Sequence, residues 1–482
     1  VADFPSRLTT WLETHRILLA SILAFIVLTF SAYLLLYKLG KEPLQDYDEA
    51  TYAEVTSESL ASHDFLSFTF LDNPYFNKPP LLFWLMGVSR ELVPETEAAA
   101  RLPSALSGIV LIGVIMLMVF QITRNPFAAA FGGAILATTS SFIEPAREAR
   151  FDILVSLFVM LSVYAFLRAL EDRRWFLWFG AFVGLGVLAK GPIELFAVIA
   201  VLGAAAAYRR IDWFLDPYFW GGVGISLLVA VPWHLYETLK FGEQFWDIYL
   251  GDQIIERIKE PLFTVAVTNT TYLQYIFGFA APWATVFCGA LVTTPFIWRK
   301  LLLREQGLIA ASIVGAFAVL TVCFITQTKA ISYLIPLYPF MAVVIALVVL
   351  GLTRLRMYGL RLFLIFFSVV LLFVGYKLTL YNAFHTNGYY WYEVALADEE
   401  KTIGELLLTS NAPTFYVYDT TTLGSIMYYS HLVKPDFIAN TIPANAYVLY
   451  QTAELQKLEA QFPHIHFTSV YQGVSLSLAV AN

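Results

Sequence analysis

Residues 17–37 read ILLASILAFIVLTFSAYLLLY, a stretch without a single charged side chain. About 20 apolar residues in helical form cross a hydrocarbon core of about 30 Å. The run is therefore expected to be a retained first membrane span rather than a cleaved leader. The composition of the whole chain agrees: of 482 residues, 58% are hydrophobic and only 14% are charged. A soluble protein of this length would need more polar surface, so the excess apolar area must face lipid.

Ten further apolar runs follow, at 103–122, 126–143, 153–170, 175–190, 192–208, 217–236, 272–297, 307–326, 331–351 and 361–381. Several are short or interrupted, at Glu144-Pro145 and at Lys190-Gly191-Pro192. The expected fold is an all-α polytopic membrane protein with about 11–13 transmembrane helices. Beyond residue 384 the long runs give way to alternation in TFYVYD (414–419), AYVLYQ (446–451), HFTSVYQ (466–472) and SLSLAVA (475–481), which reads as strands. TTLGSIMYYS (421–430) and AELQKLEAQF (453–462) read as helices. The expected division is a transmembrane domain over 1–384, with outer loops at 38–102 and 237–271, and a small α/β domain over 385–482.

Charge sets the expected orientation. EDRR (171–174), YRRID (208–212), WRKLLLRE (298–305) and TRLRMYGLR (353–361) all fall on one side of these spans. Short basic loops stay on the cytoplasmic side. The N-terminus is then cytoplasmic, and residues 38–102, 144–152, 237–271 and everything beyond 382 face outward. In the first outer loop, Glu49–Leu60 and PPLLFWLMGVSREL (79–92) are expected to be helices lying in the membrane interface.

The unusual polar residues gather on that outer side. Asp46, Asp48 and Glu49 follow the first span. Lys78 stands before a double proline, Arg150 and Asp152 in REARFD, Lys190 in LAKGP, Arg257 in QIIERIKEP, and Lys329 with Tyr333 in TKAISYLIP. Ionisable residues at helix ends mark substrate paths, although each lysine alone also fits a helix cap or a snorkelling side chain. Five cationic sites on one side favour an anion at the membrane surface. With carboxylates beside them, they suggest group transfer from a lipid phosphate, the cations stabilising the leaving phosphate and Asp48 taking a proton from an acceptor hydroxyl. Asp46 and Glu49 read as orienting or solvated, and Glu54, Glu58, Asp64 and Asp72 as a solvated acidic surface.

DYDEATYAEVTSESLASHDFL (46–66), YFNKPPLLFWL (75–85) and EAAARLPSALSGIV (97–110), followed in order by LAKGP, VPWHLY and TQTKAISYLIPLYPFMAVV, resemble the ArnT-like glycosyltransferases. These are relatives of the protein O-mannosyltransferases in the GT-C superfamily. The resemblance covers roughly residues 10–350. It implies a polyprenyl-phosphate-linked sugar, such as an undecaprenyl phosphate sugar, as donor, with transfer on the periplasmic side of a bacterial inner membrane. It further implies inversion at the sugar carbon and no required cofactor or metal. Carried over by motif, Asp48 and Asp152 are the catalytic acids, and Tyr52, Tyr75, Lys78, Arg257 and Tyr333 line the donor site. Glu49, Arg150, Lys190 and Lys329 complete the expected substrate-binding set. Two positions depart from the family: Thr51 stands where ArnT usually has arginine, and Asn77 where it usually has glutamate. Both weaken the case for aminoarabinose and lipid A in particular.

Three readings follow. The favoured one is transfer to lipid A, another glycolipid or a polysaccharide. The second is the same chemistry on a protein Ser or Thr, and the third is a transporter or flippase, for which repeats would be expected. The partners are the bilayer, the lipid-linked sugar and a periplasmic acceptor, with no nucleic acid. Cys288 and Cys323 read as small buried hydrophobes, and His464 and His466 as a surface pair.

Overall fold

The structure is a computed structural model that describes residues 14–46, 48–93, 96–209, 212–261, 268–355, 357–384, 389–410, 413–418, 420, 423–431, 433–438 and 441–482. The expected cytoplasmic N-terminus and the expected domain start at residue 385 lie outside the described residues. The chain packs as two compact units. One comprises Val1–Tyr37, Phe76–Leu82 and Pro103–His385, the other Lys38–Tyr75, Phe83–Leu102 and Thr386–Asn482.

The first unit is a helical membrane bundle. Among the described residues, 8 helices are long and apolar enough to cross a membrane, or up to 10 if each of two bent pairs is one span. The bent pairs are Pro126–Ala137 with Ser140–Ala146 (66°) and Asn269–Phe279 with Trp283–Lys300 (100°). The run expected as one span over 272–297 is thus turned sharply at residues 280–282. Phe151–Ala169 and Ile331–Thr353 form the centre, 83% and 89% buried, while Arg16–Leu36 at 11% is an outer helix. Outer helices leave Phe25 and Phe296 exposed because lipid is their solvent. The same reason corrects one expectation: Cys323 is buried, but Cys288 is exposed on the bundle surface.

The longest helical stretch, Trp175–Tyr208, reverses direction at Gly191. Near the end of Phe151–Ala169, Phe166 packs on Phe176 (5.7 Å) and also on Trp213 (4.5 Å). Residues before and after the stretch therefore lie at one end of the bundle. Gly191 has φ +59°, the left-handed region that favours glycine, and Pro192 follows it. Counting the two arms Trp175–Lys190 and Leu195–Tyr208 separately adds one span and brings the upper figure to the low end of the expected range. The first arm packs so closely on Pro217–Phe241 that a Cβ on Gly180 would collide with the Gly222 backbone.

The second unit contains the first outer loop and the C-terminal segment. Asp48–Ser62 and Leu81–Leu92 are the two short helices expected there, joined by a hairpin, β1 (Thr69–Phe70) and β2 (Asn73–Pro74). Glu54 and Glu58, expected in solvent, are buried. Glu58 accepts from the Leu71 N–H (2.6 Å) and the Thr69 hydroxyl, so it holds the hairpin instead of solvating it. Asp64 accepts from the N–H groups of Leu66 (2.9 Å) and Ser67 (3.0 Å), fixing the preceding turn.

The C-terminal segment folds into a mixed five-stranded sheet. Its strands are β3 (Thr414–Tyr418), β4 (Lys434–Phe437), β5 (Tyr447–Gln451), β6 (Phe467–Gln472) and β7 (Leu476–Ala481), in the order β4-β3-β5-β7-β6. β3 runs parallel to β4 and β5, and β7 is antiparallel to β5 and β6. Alternation along β5 sends Leu449 into a core with Ile403, Phe415 and Met427, and Val448 and Tyr450 into a second core with Leu458 and Phe462. Both faces of the sheet are thereby covered. Strand β4 and the helix Tyr389–Thr409 were not expected: Pro435 marks an edge strand, and DEEK masks the helical apolar stripe.

Candidate functional site

In the membrane unit, four side chains from different elements meet. Asp152 lies in the first turn of Phe151–Ala169, where the helix dipole favours an acid. Lys190 ends Trp175–Lys190, where the dipole favours a cation. Its ammonium donates to Asp152 Oδ1 and lies 5.8 Å from the centre of the Tyr333 ring. The Tyr333 hydroxyl, in the turn Ile331–Leu334, accepts from Arg257 at 3.0 Å. Backbone bonds from Gln327 to Ile258 (3.2 Å) and Thr328 to Arg257 (3.0 Å) fix the arginine beside that turn. The result is a polar chain, Asp152–Lys190–Tyr333–Arg257, in which Asp152 is buried and the other three are half-buried.

Lys78 joins through the same segment. It donates to Gln253 Oε1 (3.2 Å) and to the Asn77 carbonyl (3.3 Å). Gln253 stands four residues before Arg257, in a stretch, Asp247–Glu256, wound as a π-helix. Such winding is rare and is frequent at functional sites. A lone glutamine among charged residues gave the sequence no signal; the π-winding, visible only in three dimensions, picks it out.

Two further residues of the expected substrate-binding set make bonds within the fold. Lys329 donates to the carbonyls of Cys323 (3.0 Å), Phe324 (3.0 Å) and Thr326 (2.5 Å). It thereby caps Leu303–Ile325, whose last carbonyls have no partner in the helix. Burial also lowers its pKa. Arg150 pairs with Glu148 at 2.6 Å, two residues away.

In the second unit, Asp48 opens its helix, is exposed, and accepts from the Tyr52 hydroxyl at 2.9 Å, one helical turn on. Tyr52 itself is buried against the edge of Phe83 (6.0 Å), so the carboxylate is held from a fixed point. Tyr75 is buried too, packed on Phe83 at 6.0 Å. Glu49, also of the expected set, is paired within the fold. Both its oxygens accept from Arg101 at 2.7 Å, and the pair is 4% and 5% exposed. The same guanidinium donates to the carbonyls of Leu39 (2.9 Å), Glu42 (2.7 Å) and Pro43 (2.7 Å), tying down the segment that leads to Asp48. Asp46 is also turned inward: burial pushes its carboxyl up to about 6, against the pull of backbone N–H groups at residues 423–425.

Each unit thus offers distinct chemistry. The membrane unit presents lysine, arginine and tyrosine donors suited to an anion, and the second unit an exposed, oriented carboxylate.

The chain is similar to several known proteins. Residues 77–236 match the family described as dolichyl-phosphate-mannose-protein mannosyltransferase. An uncharacterized protein of Aquifex aeolicus is 25% identical over 320 residues, covering 64% of this chain and 60% of that protein. The undecaprenyl phosphate-alpha-4-amino-4-deoxy-L-arabinose arabinosyl transferase of Serratia proteamaculans is 26% identical over 296 residues, covering 59% of this chain and 51% of the enzyme. The chain therefore spans about half to three-fifths of these relatives' own length. In fold the likeness is wider. The crystal structure of ArnT from Cupriavidus metallidurans bound to undecaprenyl phosphate superposes with a TM-score of 0.73 at 16% identity, covering 96% of this chain and 97% of that one. The Archaeoglobus fulgidus oligosaccharyltransferase follows with a TM-score of 0.60 at 13% identity, over 92% of this chain and 71% of that one.

Proposed function

We propose that this chain, an ArnT-like member of the GT-C superfamily by fold and sequence, is an integral membrane glycosyltransferase using a polyprenyl-phosphate sugar. The observation that carries the reading is the Asp152–Lys190–Tyr333–Arg257 chain, with Lys78 tied to the same segment through Gln253. A sugar carried on a phosphate leaves that phosphate behind, and positioned cations are what its developing charge requires. Arg257 supplies a planar donor fork, Lys190 a point charge, and Asp152 orients Lys190.

In the transfer step the bond from the anomeric carbon to the lipid phosphate breaks, and a bond to the acceptor oxygen forms on the opposite face. With a hydroxyl acceptor, Asp48 takes its proton; with a phosphate acceptor, already ionised, Asp48 orients sugar or acceptor hydroxyls. No step calls for a metal or cofactor. The basic short segments between spans support a cytoplasmic N-terminus, which puts the site and the C-terminal segment in the periplasm of a bacterial inner membrane. A glycolipid or polysaccharide is the acceptor favoured by the likeness to the arabinosyl transferases. The alternative, a protein Ser or Thr, has the support of the mannosyltransferase match.

Mass spectrometry of lipid A, other envelope glycolipids and glycopeptides from cells with and without the protein tests this. Loss of a sugar from a lipid fraction, with accumulated polyprenyl-phosphate sugar, is the expected result. Loss confined to glycopeptides would move the acceptor to protein. No difference in any fraction would sink the transferase reading and favour a transporter. Asp48→Asn is expected to lower product at least about 100-fold while undecaprenyl phosphate binding to the purified protein stays unchanged.

A further inference from the structure

The segment that delivers Asp48 is held from the far end of the chain. Leu44, Gln45 and Asp46 stand immediately ahead of the helix Asp48–Ser62, and two of the three are bonded to the short helix Gly424–Tyr429. The Tyr429 hydroxyl accepts from the Leu44 N–H at 2.9 Å, and the Ser425 hydroxyl donates to the Leu44 carbonyl at 3.1 Å. The Gly424 N–H donates to Asp46 Oδ2 at 3.2 Å. A Cβ at Gly424 would press on the Asp46 carboxylate and displace it.

The tyrosine is itself anchored. Its hydroxyl donates to Glu97 Oε1 at 3.1 Å, and Lys401 donates to the same oxygen at 2.7 Å while lying 4.9 Å from the tyrosine ring centre. Tyr429 and Ser425 are 8% and 0% exposed. Buried hydrogen bonds of this kind specify one arrangement of the backbone they hold.

We propose that Tyr429, with Ser425, is a positioning residue for catalysis: through Leu44 it fixes the backbone that presents the Asp48 carboxylate. The C-terminal segment is then part of the catalytic apparatus, although it carries no reacting group. This rests on the reading of Asp48 given above, and a placement error of about 1 Å at a reacting group lowers a rate by about 100-fold.

The test uses the full-length protein. Tyr429→Phe, Ser425→Ala and Asp48→Asn are each expressed in cells lacking the native copy, and the sugar-bearing product is quantified by mass spectrometry. Each purified variant is also titrated with undecaprenyl phosphate and followed by amide exchange. Tyr429→Phe is expected to lower product about tenfold or more, to leave undecaprenyl phosphate affinity within about twofold, and to speed exchange at Leu44. Ser425→Ala, a smaller change, should shift product and exchange in the same direction. Full product from Tyr429→Phe and Ser425→Ala, beside an inactive Asp48→Asn, would overturn the positioning role. Loss of product together with undecaprenyl phosphate binding would make Tyr429 a general fold residue and overturn it equally. Full product from Asp48→Asn would instead remove the reading on which the proposal stands.

Discussion

Lys190 and Lys329 are both lysines at or just beyond the end of a span. Their surroundings separate them. Each lies near an aromatic ring, Tyr333 at 5.8 Å and Tyr272 at 5.9 Å, but Lys190 keeps an acid beside it whereas Lys329 turns back onto three carbonyls of its own chain. Lys190→Ala would leave Asp152 buried without its cation, which destabilises by about 2–4 kcal/mol, and should also weaken undecaprenyl phosphate binding. Lys329→Ala should destabilise by about 1–2 kcal/mol through the lost cap and leave that binding unchanged. Thermal unfolding in detergent and a binding titration on both variants check the contrast. At the acidic cluster the same logic holds. Asp48, Asp46 and Glu49 look alike in sequence, yet only Asp48 is exposed, because Arg101 and the N–H of Gly424 take the other two.

At the scale of an element, the helix Asp48–Ser62 buries three acids, Glu49 against Arg101 and, further along, Glu54 and Glu58. Glu58 is used by the hairpin, whereas burial, then the nearby Glu58 charge, push the Glu54 carboxyl up to about 7, with Arg90 opposing them. In the unfolded chain Glu54 ionises near 4.5, so between 4.5 and 7 the folded protein holds a proton that the unfolded chain has lost. Stability therefore falls as pH rises through that window and levels off above it. Glu54→Gln, which keeps the shape without the charge, should stabilise the protein by about 1–3 kcal/mol at pH 8. It should do almost nothing at pH 4. Melting temperatures across a pH series read this directly; an equal gain at both pH values would mean that Glu54 ionises as an ordinary surface acid.

Over the whole molecule, the bundle is a case of helices sorted by polarity of surroundings. The central spans Phe151–Ala169 and Ile331–Thr353 are enclosed by protein, and the outer ones by lipid, yet both classes are apolar all round. Hydropathy alone therefore finds the spans without ranking them. The basic loops set a direction that can be measured. Protease added to spheroplasts should cut within residues 386–482 and spare the loop at 298–305 until the membrane is permeabilised. The reverse pattern would invert the proposed topology and place the site in the cytoplasm.

Much of this was legible in the sequence because bilayer physics imposes local rules. A span needs about 20 apolar residues wherever it sits, and a strand with two covered faces alternates between two cores. The spans, the two short outer helices and four of the five strands followed from those rules. The cationic set was readable as a set because such residues are expensive near lipid. What only the tertiary structure decided was which charged groups are committed to the fold. Glu49 and Glu58 meet their partners through folding, and Arg101, Gln253 and Tyr429 acquire their roles the same way. A side chain's partner across 50 or 300 residues leaves no periodic trace in the chain. Burial and hydrogen bonding, fixed only when the backbone has folded, give Asp48 and Lys190 surroundings that differ from those of other residues of the same kind.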